Sequence, residues 1–218
     1  MGARCAACRL VPSHCMCRVG PELSTQAGIC LLMGDIETLK PSNTGWLVAD
    51  IVKDTFAFAW ARTDVDPQLL QLLADPRWQP YVVFPAEYAI PTRVVDCVTL
   101  DTRTACDKRP LFILLDGTWA EARKMFRKSP YLDRFPVLSL QPDVVSNYQL
   151  RRSRREDHFC TSEVAAQCLH LADEVFAATV LSAYLDVYTH HYLRAKQQLP
   201  VEPQGSAYTR WYEVLKCD

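Results

Sequence analysis

One segment constrains the fold of this 218-residue chain more than any other, because it predicts a strand, a tight turn and a helix in direct succession. The apolar run Leu111–Leu115 leads into the turn Asp116–Trp119, and residues 120–126 follow with a helical pattern. In open α/β sheets, ligands bind beyond the carboxyl ends of strands, next to helix N-termini. The segment therefore predicts an α/β fold with a candidate site at this turn.

Local structure alone accounts for part of this turn. Asp-Gly is a common turn pair, and Thr118 with Glu121 three residues later fits a helix capping box. Trp119 is not explained in this way, because a large aromatic at the first helical position suits stacking on a flat ligand. The turn by itself favours a functional site only slightly over a capped helix.

The rest of the chain alternates strand-like and helix-like segments, which predicts a largely parallel sheet flanked by helices. Residues 1–20 hold four cysteines and little that builds a core, so we expect a small N-terminal knuckle before a catalytic domain over residues 21–218. The final third is predicted to be helical. The predicted strands are 29–33, 56–60, 81–84, 111–115 and 136–140, and the predicted helices are 45–52, 67–74, 119–128, 162–178 and 180–198.

The N-terminal cysteines have the spacing of a metal site. Cys5-x-x-Cys8 and Cys15-x-Cys17 place four thiolates within thirteen residues, which suits one tetrahedral zinc ion in a closed, structural centre. An iron–sulfur cluster and incidental cysteines are the alternatives. The other six cysteines are scattered, mostly in apolar contexts, which is typical of core residues.

Charge is distributed unevenly along a chain whose formal net charge is −1. Between residues 119 and 155, nine lysines and arginines stand against three acids. Such a patch indicates a polyanionic partner, although a solvated basic face is the alternative. The basic residues we assign to RNA binding are Arg123, Lys124, Arg127, Lys128, Arg152, Arg154 and Arg155.

The sequence lacks an apolar run of transmembrane length and an apolar signal segment near Met1. Ten cysteines favour thiolate chemistry or a metal in a reducing compartment. We therefore expect a cytosolic protein that does not bind membranes.

These motifs, together with Asn43-Thr44-Gly45 and the segments 148–151 and 160–165, occur in one order that resembles the DTW-domain family. The resemblance implies a SPOUT-like fold, whose C-terminal part forms a trefoil knot that holds S-adenosylmethionine. It also implies transfer of the 3-amino-3-carboxypropyl group of that cofactor to N3 of a tRNA uridine, at position 47, with methylthioadenosine as the by-product. One departure is Gly34, which stands where the family often has His, with Glu37 retained.

The chemistry implied by the resemblance assigns roles to individual residues. Asp116 is the candidate general base, or else a group that holds the base or the sulfonium, while Thr118 would hydrogen-bond and Trp119 would stack on the uracil. Asn43 and Thr44 are expected to contact RNA, with helix capping as the alternative. The cofactor-binding candidates are Phe84, Pro85, Leu115, Gly117, Leu150, Arg151, Thr161, Ser162 and Glu163.

Two other functions fit the same residues. A SPOUT-type RNA methyltransferase would share the fold and the cofactor, and a non-catalytic zinc-ribbon RNA-binding protein would need the basic clusters alone. The oligomeric state is open between a dimer, as in many knotted transferases, and a monomer whose helical C-terminal third covers the pairing surface.

Overall fold

The computed structural model describes residues 4–17, 19–98, 108–140 and 159–216 and contains a six-stranded parallel sheet with the order β2-β1-β5-β3-β6-β4. The longest strands lie in the middle of this sheet, and the short β4 and β6 lie together at one edge. The strands are β1 (Gly28–Met33), β2 (Thr55–Ala59), β3 (Trp78–Val83), β4 (Val94–Val95), β5 (Arg109–Asp116) and β6 (Val137–Leu138).

Six α-helices connect and cover these strands within the described residues. They are α1 (Gly45–Ile51), α2 (Pro67–Ala74), α3 (Trp119–Lys128), α4 (Thr161–Leu171), α5 (Val175–Gln197) and α6 (Ser206–Val214). The predicted α/β class and parallel sheet are confirmed, as are the bounds of α2 and α3. No described helix is both long and apolar enough to cross a bilayer.

Hydrophobic side chains fill both faces of the sheet. On β1, Leu31 faces the core formed with α1, α4, α5 and α6, and Leu32 faces the core formed with α2 and α3. All six residues of β1 are buried. This near-continuous burial is what a parallel sheet covered on both faces requires, and it explains the apolar run of β1 and the run Leu111–Leu115 within β5.

Strand β3 begins three residues before the predicted strand 81–84, and Pro80 lies inside it. Proline lacks the N–H that a central strand donates. The N–H of Val82 bonds to Pro136 O beside β6, and alternate residues of a strand direct their N–H groups to the same side. The backbone nitrogen of Pro80 therefore points to the side where β6 lies, but β6 pairs with β3 only from Val82 onward. Proline at this position thus removes no hydrogen bond from the sheet.

The boundary predicted between helices 162–178 and 180–198 was wrong. Helix α4 ends at Leu171, and α5 continues without interruption through residues 178–180. The break comes at Asp173, whose φ of 63° is left-handed. The N–H of Asp173 bonds to His170 O and that of Glu174 to Leu169 O, which closes α4.

Three further segments differ from the sequence-based expectation. The predicted strand 136–140 is shorter in the structure, where it is the two-residue strand β6. Strand β4 and helix α6 were not predicted from the sequence. In that helix Trp211 is 2 % exposed and packs on the body, whereas the neighbouring Tyr212 is 48 % exposed. The expected knot stays a prediction, because residues 141–158 lie outside the described residues.

Candidate active site

Three neighbouring strands end at one corner of the sheet. Met33 pairs with Asp116 across β1 and β5, and Val83 pairs with Leu114 across β3 and β5. The N–H of Gly34 then donates to the Asp116 carbonyl at 2.9 Å. The loops that follow β1, β3 and β5 thus begin side by side, at the edge where α/β sheets bind ligands.

The carboxylate of Asp116 joins three loops at this corner. Its Oδ2 accepts a hydrogen bond from Asn43 Nδ2 at 2.6 Å, and its Oδ1 accepts one from Thr161 Oγ1 at 2.5 Å. Asp116 is 4 % exposed. We refer to Asp116, Asn43 and Thr161 as the clasp, since hydrogen bonds to a buried charge are short and strong.

The clasp extends to the loop after β1 through the Asn43 amide. Asn43 Nδ2 also donates to Glu37 Oε2 at 3.4 Å, and Glu37 forms an ion pair with Lys40. Asn43 Oδ1 accepts from the Gly45 N–H at 2.9 Å. A Cβ at Gly45 would lie 2.7 Å from Asp116 Oδ2, so the close approach of α1 to the carboxylate requires glycine here.

The turn after Asp116 is a capped helix start, as the sequence predicts. Thr118 Oγ1 accepts from the Glu121 N–H at 3.3 Å, and the Glu121 carboxylate accepts from the Thr118 N–H at 2.7 Å and from its hydroxyl at 2.5 Å. These hydrogen bonds lower the pKa of Glu121. The capping box holds the turn rigid beside the clasp.

Trp119 belongs to a cluster of stacked aromatic rings. It lies parallel to Phe84, with ring centroids 5.5 Å apart, and meets Tyr88 edge-on at 5.9 Å. Phe84 also stacks on Phe126 at 4.5 Å. Such geometries stabilise aromatic clusters, so Trp119 is fixed in a wall rather than loose on the surface.

A pocket of about 410 Å³ opens between this aromatic wall and the clasp. Thr161 and Gly117 line it next to the clasp, and Leu140 and Phe159 line it from the ends of the described segments. Its size and apolar lining with few polar groups are typical of small-molecule sites. The residues that line it are Val83, Phe84, Pro85, Glu87, Leu114, Leu115, Gly117, Trp119, Ala122, Leu140, Phe159, Thr161 and Val164.

The structure brings five of the nine cofactor-binding candidates to this pocket, namely Phe84, Pro85, Leu115, Gly117 and Thr161. Ser162 is 1 % exposed, and its N–H donates to Thr44 Oγ1 at 3.3 Å. Glu163 accepts from the Cys160 N–H at 2.7 Å and lines a second cavity between α4, α5 and α6. Leu150 and Arg151 lie outside the described residues.

The candidate RNA-binding residues fall into three groups. Arg123, Lys124, Arg127 and Lys128 are exposed along α3, directly after the turn, although Lys124 also lies 5.2 Å from the centre of the Trp60 ring. Asn43 and Thr44 are buried, with their side chains hydrogen-bonded inside the protein, so they build the corner rather than an RNA-facing surface. Arg152, Arg154 and Arg155 lie outside the described residues.

The four N-terminal cysteines converge on one point. Their Sγ atoms all lie within 4.8 Å of one another, with Cys5–Cys17 at 3.4 Å and both Cys8–Cys15 and Cys5–Cys15 at 3.7 Å. Zn–S bonds of about 2.3 Å in a tetrahedron place sulfurs about 3.8 Å apart. Hydrogen bonds from the Cys8 and Ala7 N–H groups lower the pKa of Cys5 to about 6, whereas burial raises the pKa values of Cys8 and Cys17, so the case for zinc rests on the sulfur geometry. The residues therefore fit a zinc ion.

The knuckle is packed onto the body. Leu10 and Met16 are each 1 % exposed and belong to the core cluster of α1, α4 and α5. The Arg9 guanidinium lies 4.2 Å from the centre of the Trp46 ring, at the start of α1. His14, a possible substitute ligand, instead contacts the Leu199 carbonyl at 2.8 Å.

Glu87 and Tyr88 are among the site residues that sequence reasoning missed. Glu87 lines the pocket, and Tyr88 contacts the ring of Trp119. Both follow β3 in a short 3₁₀ turn, Ala86–Tyr88. The available signal was an acid just after a strand end, which often contacts a ligand in α/β folds.

Comparison with known proteins identifies a family for this chain. The family model described as "DTW domain" matches residues 2–193. A curated relative, tRNA-uridine aminocarboxypropyltransferase 2 of Drosophila melanogaster, is 39% identical over 57 residues, which are 26% of this chain and 23% of that protein. The chain thus aligns with less than a quarter of that relative, and no solved structure matches. Since the family model covers most of the chain, this protein belongs to the DTW domain family.

Proposed function

We propose that this chain modifies tRNA by transferring the 3-amino-3-carboxypropyl group of S-adenosylmethionine to N3 of a uridine, with position 47 as the expected target. One observation carries the proposal: a nucleoside-sized pocket opens beside the buried Asp116 carboxylate, at the turn that gives the family its motif. The name of the fruit-fly relative, a tRNA-uridine aminocarboxypropyltransferase, supports the same reaction.

The pocket suits the adenosyl part of the cofactor. The aromatic wall of Phe84 and Trp119 and the aliphatic side chains of Leu114 and Leu115 offer a surface on which a purine ring packs. When bound, S-adenosylmethionine would supply a sulfonium whose γ-carbon is open to attack by uridine N3; the N–C bond forms as the C–S bond breaks, methylthioadenosine leaves and the N3 proton is released to solvent.

The chain's own residues hold the corner in place. Both oxygens of Asp116 accept hydrogen bonds from partners in other loops, at 2.6 and 2.5 Å. This geometry supports a positioning role for Asp116 over that of a general base, since a base needs an oxygen directed at the uridine. The Thr161 hydroxyl donates its hydrogen bond to Asp116, so the lone pairs of its oxygen remain available to the pocket.

The exposed basic residues of α3 begin one turn beyond the site. Arg123, Arg127 and Lys128 are exposed, and phosphate contacts by such side chains fix the register of a nucleic acid without reading its sequence. A tRNA backbone lying along α3 would carry its nucleotides toward the turn at Thr118. The basic helix and the pocket therefore serve a single proposed substrate complex.

The test is to incubate the purified protein with tRNA and S-adenosylmethionine and to analyse both products by mass spectrometry. We expect 3-amino-3-carboxypropyluridine in the tRNA and one equivalent of methylthioadenosine. Adenosylhomocysteine with a methylated nucleoside would instead identify a methyltransferase. Binding of tRNA without cofactor binding or any modified nucleoside would identify a non-catalytic RNA-binding protein.

A further inference from the structure

We propose that Glu87 recognises the ribose of the adenosyl cofactor by accepting hydrogen bonds from its 2′- and 3′-hydroxyl groups. This inference rests on the proposed function, because it assumes that the pocket beside the clasp holds an adenosine derivative. It adds a specificity-determining residue that neither the turn Asp116–Trp119 nor the other motifs contain.

The first argument is the charge of the pocket lining. Among the described residues that line the pocket, Glu87 is the one charged side chain, and Thr161 is the one hydroxyl. The proton of Thr161 is donated to Asp116, while an ionised carboxylate accepts hydrogen bonds and donates none. Both of these side chains therefore present acceptors, and the ligand groups that contact them must be donors.

The second argument is that the Glu87 carboxylate is available. Within the described part of the chain, no hydrogen bond or ion pair of this side chain is found, and the residue is exposed at the pocket rim. By contrast, the nearby Glu121 and Glu37 are bonded to Thr118 and Lys40 respectively. Glu87 can thus meet a ligand without first breaking an internal contact.

The third argument is that the backbone of Glu87 is held firmly on both sides. The Ala86 N–H donates to Ser139 Oγ at 3.0 Å, and the Tyr88 ring packs on Phe84 and Trp119. A rigid turn places the carboxylate at the same rim as the aromatic wall. Pre-positioned polar groups of this kind give small-molecule sites their specificity.

The position of Glu87 fits a ribose more closely than the other donor-bearing parts of the cofactor. We assign the purine to the apolar wall and the transferred group to the clasp, which leaves the sugar that joins them for Glu87. A carboxylate following a strand of an α/β sheet binds ribose hydroxyls in the same manner in dinucleotide-binding folds.

The test measures binding by calorimetry, with methylthioadenosine and its 2′-deoxy and 3′-deoxy forms as ligands. For the wild-type chain we expect each missing hydroxyl to weaken binding about tenfold, as loss of a hydrogen bond to a charged group does. For Glu87→Gln we expect methylthioadenosine to bind about tenfold more weakly, and we expect its deoxy forms to bind no more weakly than methylthioadenosine itself. Glu22→Gln, which removes an exposed carboxylate before β1, should match the wild type.

Three results would overturn the inference. Glu87 is not the ribose ligand if Glu87→Gln binds methylthioadenosine as tightly as the wild type does, or if the missing hydroxyls still weaken binding to that variant by the same factor. Either result would leave the cofactor pocket in place. Weaker binding of S-adenosylmethionine but not of methylthioadenosine would show that Glu87 responds to the positive charge of the cofactor. Failure of the folded wild-type protein to bind either ligand would refute the proposed function as well.

Discussion

Asp116 and Asn43 lie 73 positions apart in the chain, and the Asn43 amide donates to the Asp116 carboxylate across 2.6 Å. A second hydrogen bond to Thr161 occupies the other oxygen. The segments that carry Asn43, Asp116 and Thr161 are separate motifs in the sequence, yet they are one polar cluster in the fold. The turn that begins at Asp116 therefore supplies one of the three residues of the clasp.

Replacing Asp116 with Asn should damage the clasp more than the overall fold. An amide offers one acceptor where the carboxylate offers two, so either Asn43 or Thr161 loses its partner. We expect a loss of about 1–3 kcal/mol in the free energy of unfolding, measured by urea denaturation. Calorimetry should also show weaker S-adenosylmethionine binding. If that affinity and the stability are both unchanged while turnover is lost, Asp116 is the general base and not a positioning residue.

Two glycines at the corner should respond differently to alanine. Gly45→Ala places a Cβ 2.7 Å from Asp116 Oδ2 and 3.2 Å from Asn43 Oδ1, so the clasp has to move. We expect a loss of about 2 kcal/mol in unfolding free energy. Gly34→Ala meets the flexible end of Met125 at 3.3 Å and should be tolerated. Equal losses for the two variants, measured in the same urea titration, would contradict this account.

Thr118 allows structural and chemical roles to be separated. Thr118→Ala removes the side-chain cap of α3 and should cost about 1 kcal/mol in thermal or urea unfolding. Thr118→Ser keeps the hydroxyl and should keep that stability. If transfer activity follows stability in both variants, capping is the main role of Thr118. A stable Thr118→Ser protein without activity would show that the Thr118 methyl group contacts a substrate.

The reactivity of individual cysteines toward a thiol reagent at pH 8 should show which of them bind zinc and which are buried. In the zinc-loaded protein, iodoacetamide should modify the exposed Cys97 and leave Cys5, Cys8, Cys15 and Cys17 unmodified. A chelator should make those four reactive, with release of one zinc ion per chain.

Burial raises the pKa of Cys30 and of Cys160 to about 12, so both should stay unmodified with or without the metal while the chain remains folded. Peptide mass spectrometry identifies each site. Modification of the four knuckle cysteines before chelation would exclude a closed zinc centre.

The basic face of α3 should set the salt dependence of tRNA binding. Each phosphate contact removed lowers the slope of log K against log salt by about 0.7 to 0.9. Replacing Arg123, Arg127 and Lys128 with Ala should therefore flatten the slope by about 2 and weaken binding, as measured by filter binding at several salt concentrations. Replacing the exposed Lys196 and Lys216 provides a control outside α3. An unchanged slope in the α3 variant would place the RNA elsewhere.

Local patterns were enough to predict the long elements. Strands β1 and β5 are apolar runs because both of their faces are covered, and α3 begins where the Thr118–Glu121 capping box predicts. The break between α4 and α5 was misplaced, because it depends on the left-handed backbone of Asp173, a residue that also occurs within helices. Strand β3 begins three residues earlier than predicted, and it can contain Pro80 because β6 pairs with β3 only from Val82 onward. No local sequence pattern shows where that pairing begins.

Patterns in the sequence were enough to predict the family, the parallel α/β class, the four-cysteine cluster and the capped turn at Asp116. These predictions depend on motif spacing within short segments and on the alternation of strand-like and helix-like segments. The tertiary structure was needed to show that Asn43 and Thr44 face inward, that Ser162 is buried and that Glu87 lies at the pocket rim. Those positions depend on which loops the sheet order places side by side. A buried carboxylate is stabilised by hydrogen bonds from distant segments, and the partners of Asp116 become visible only when strands β1 and β5 lie next to each other.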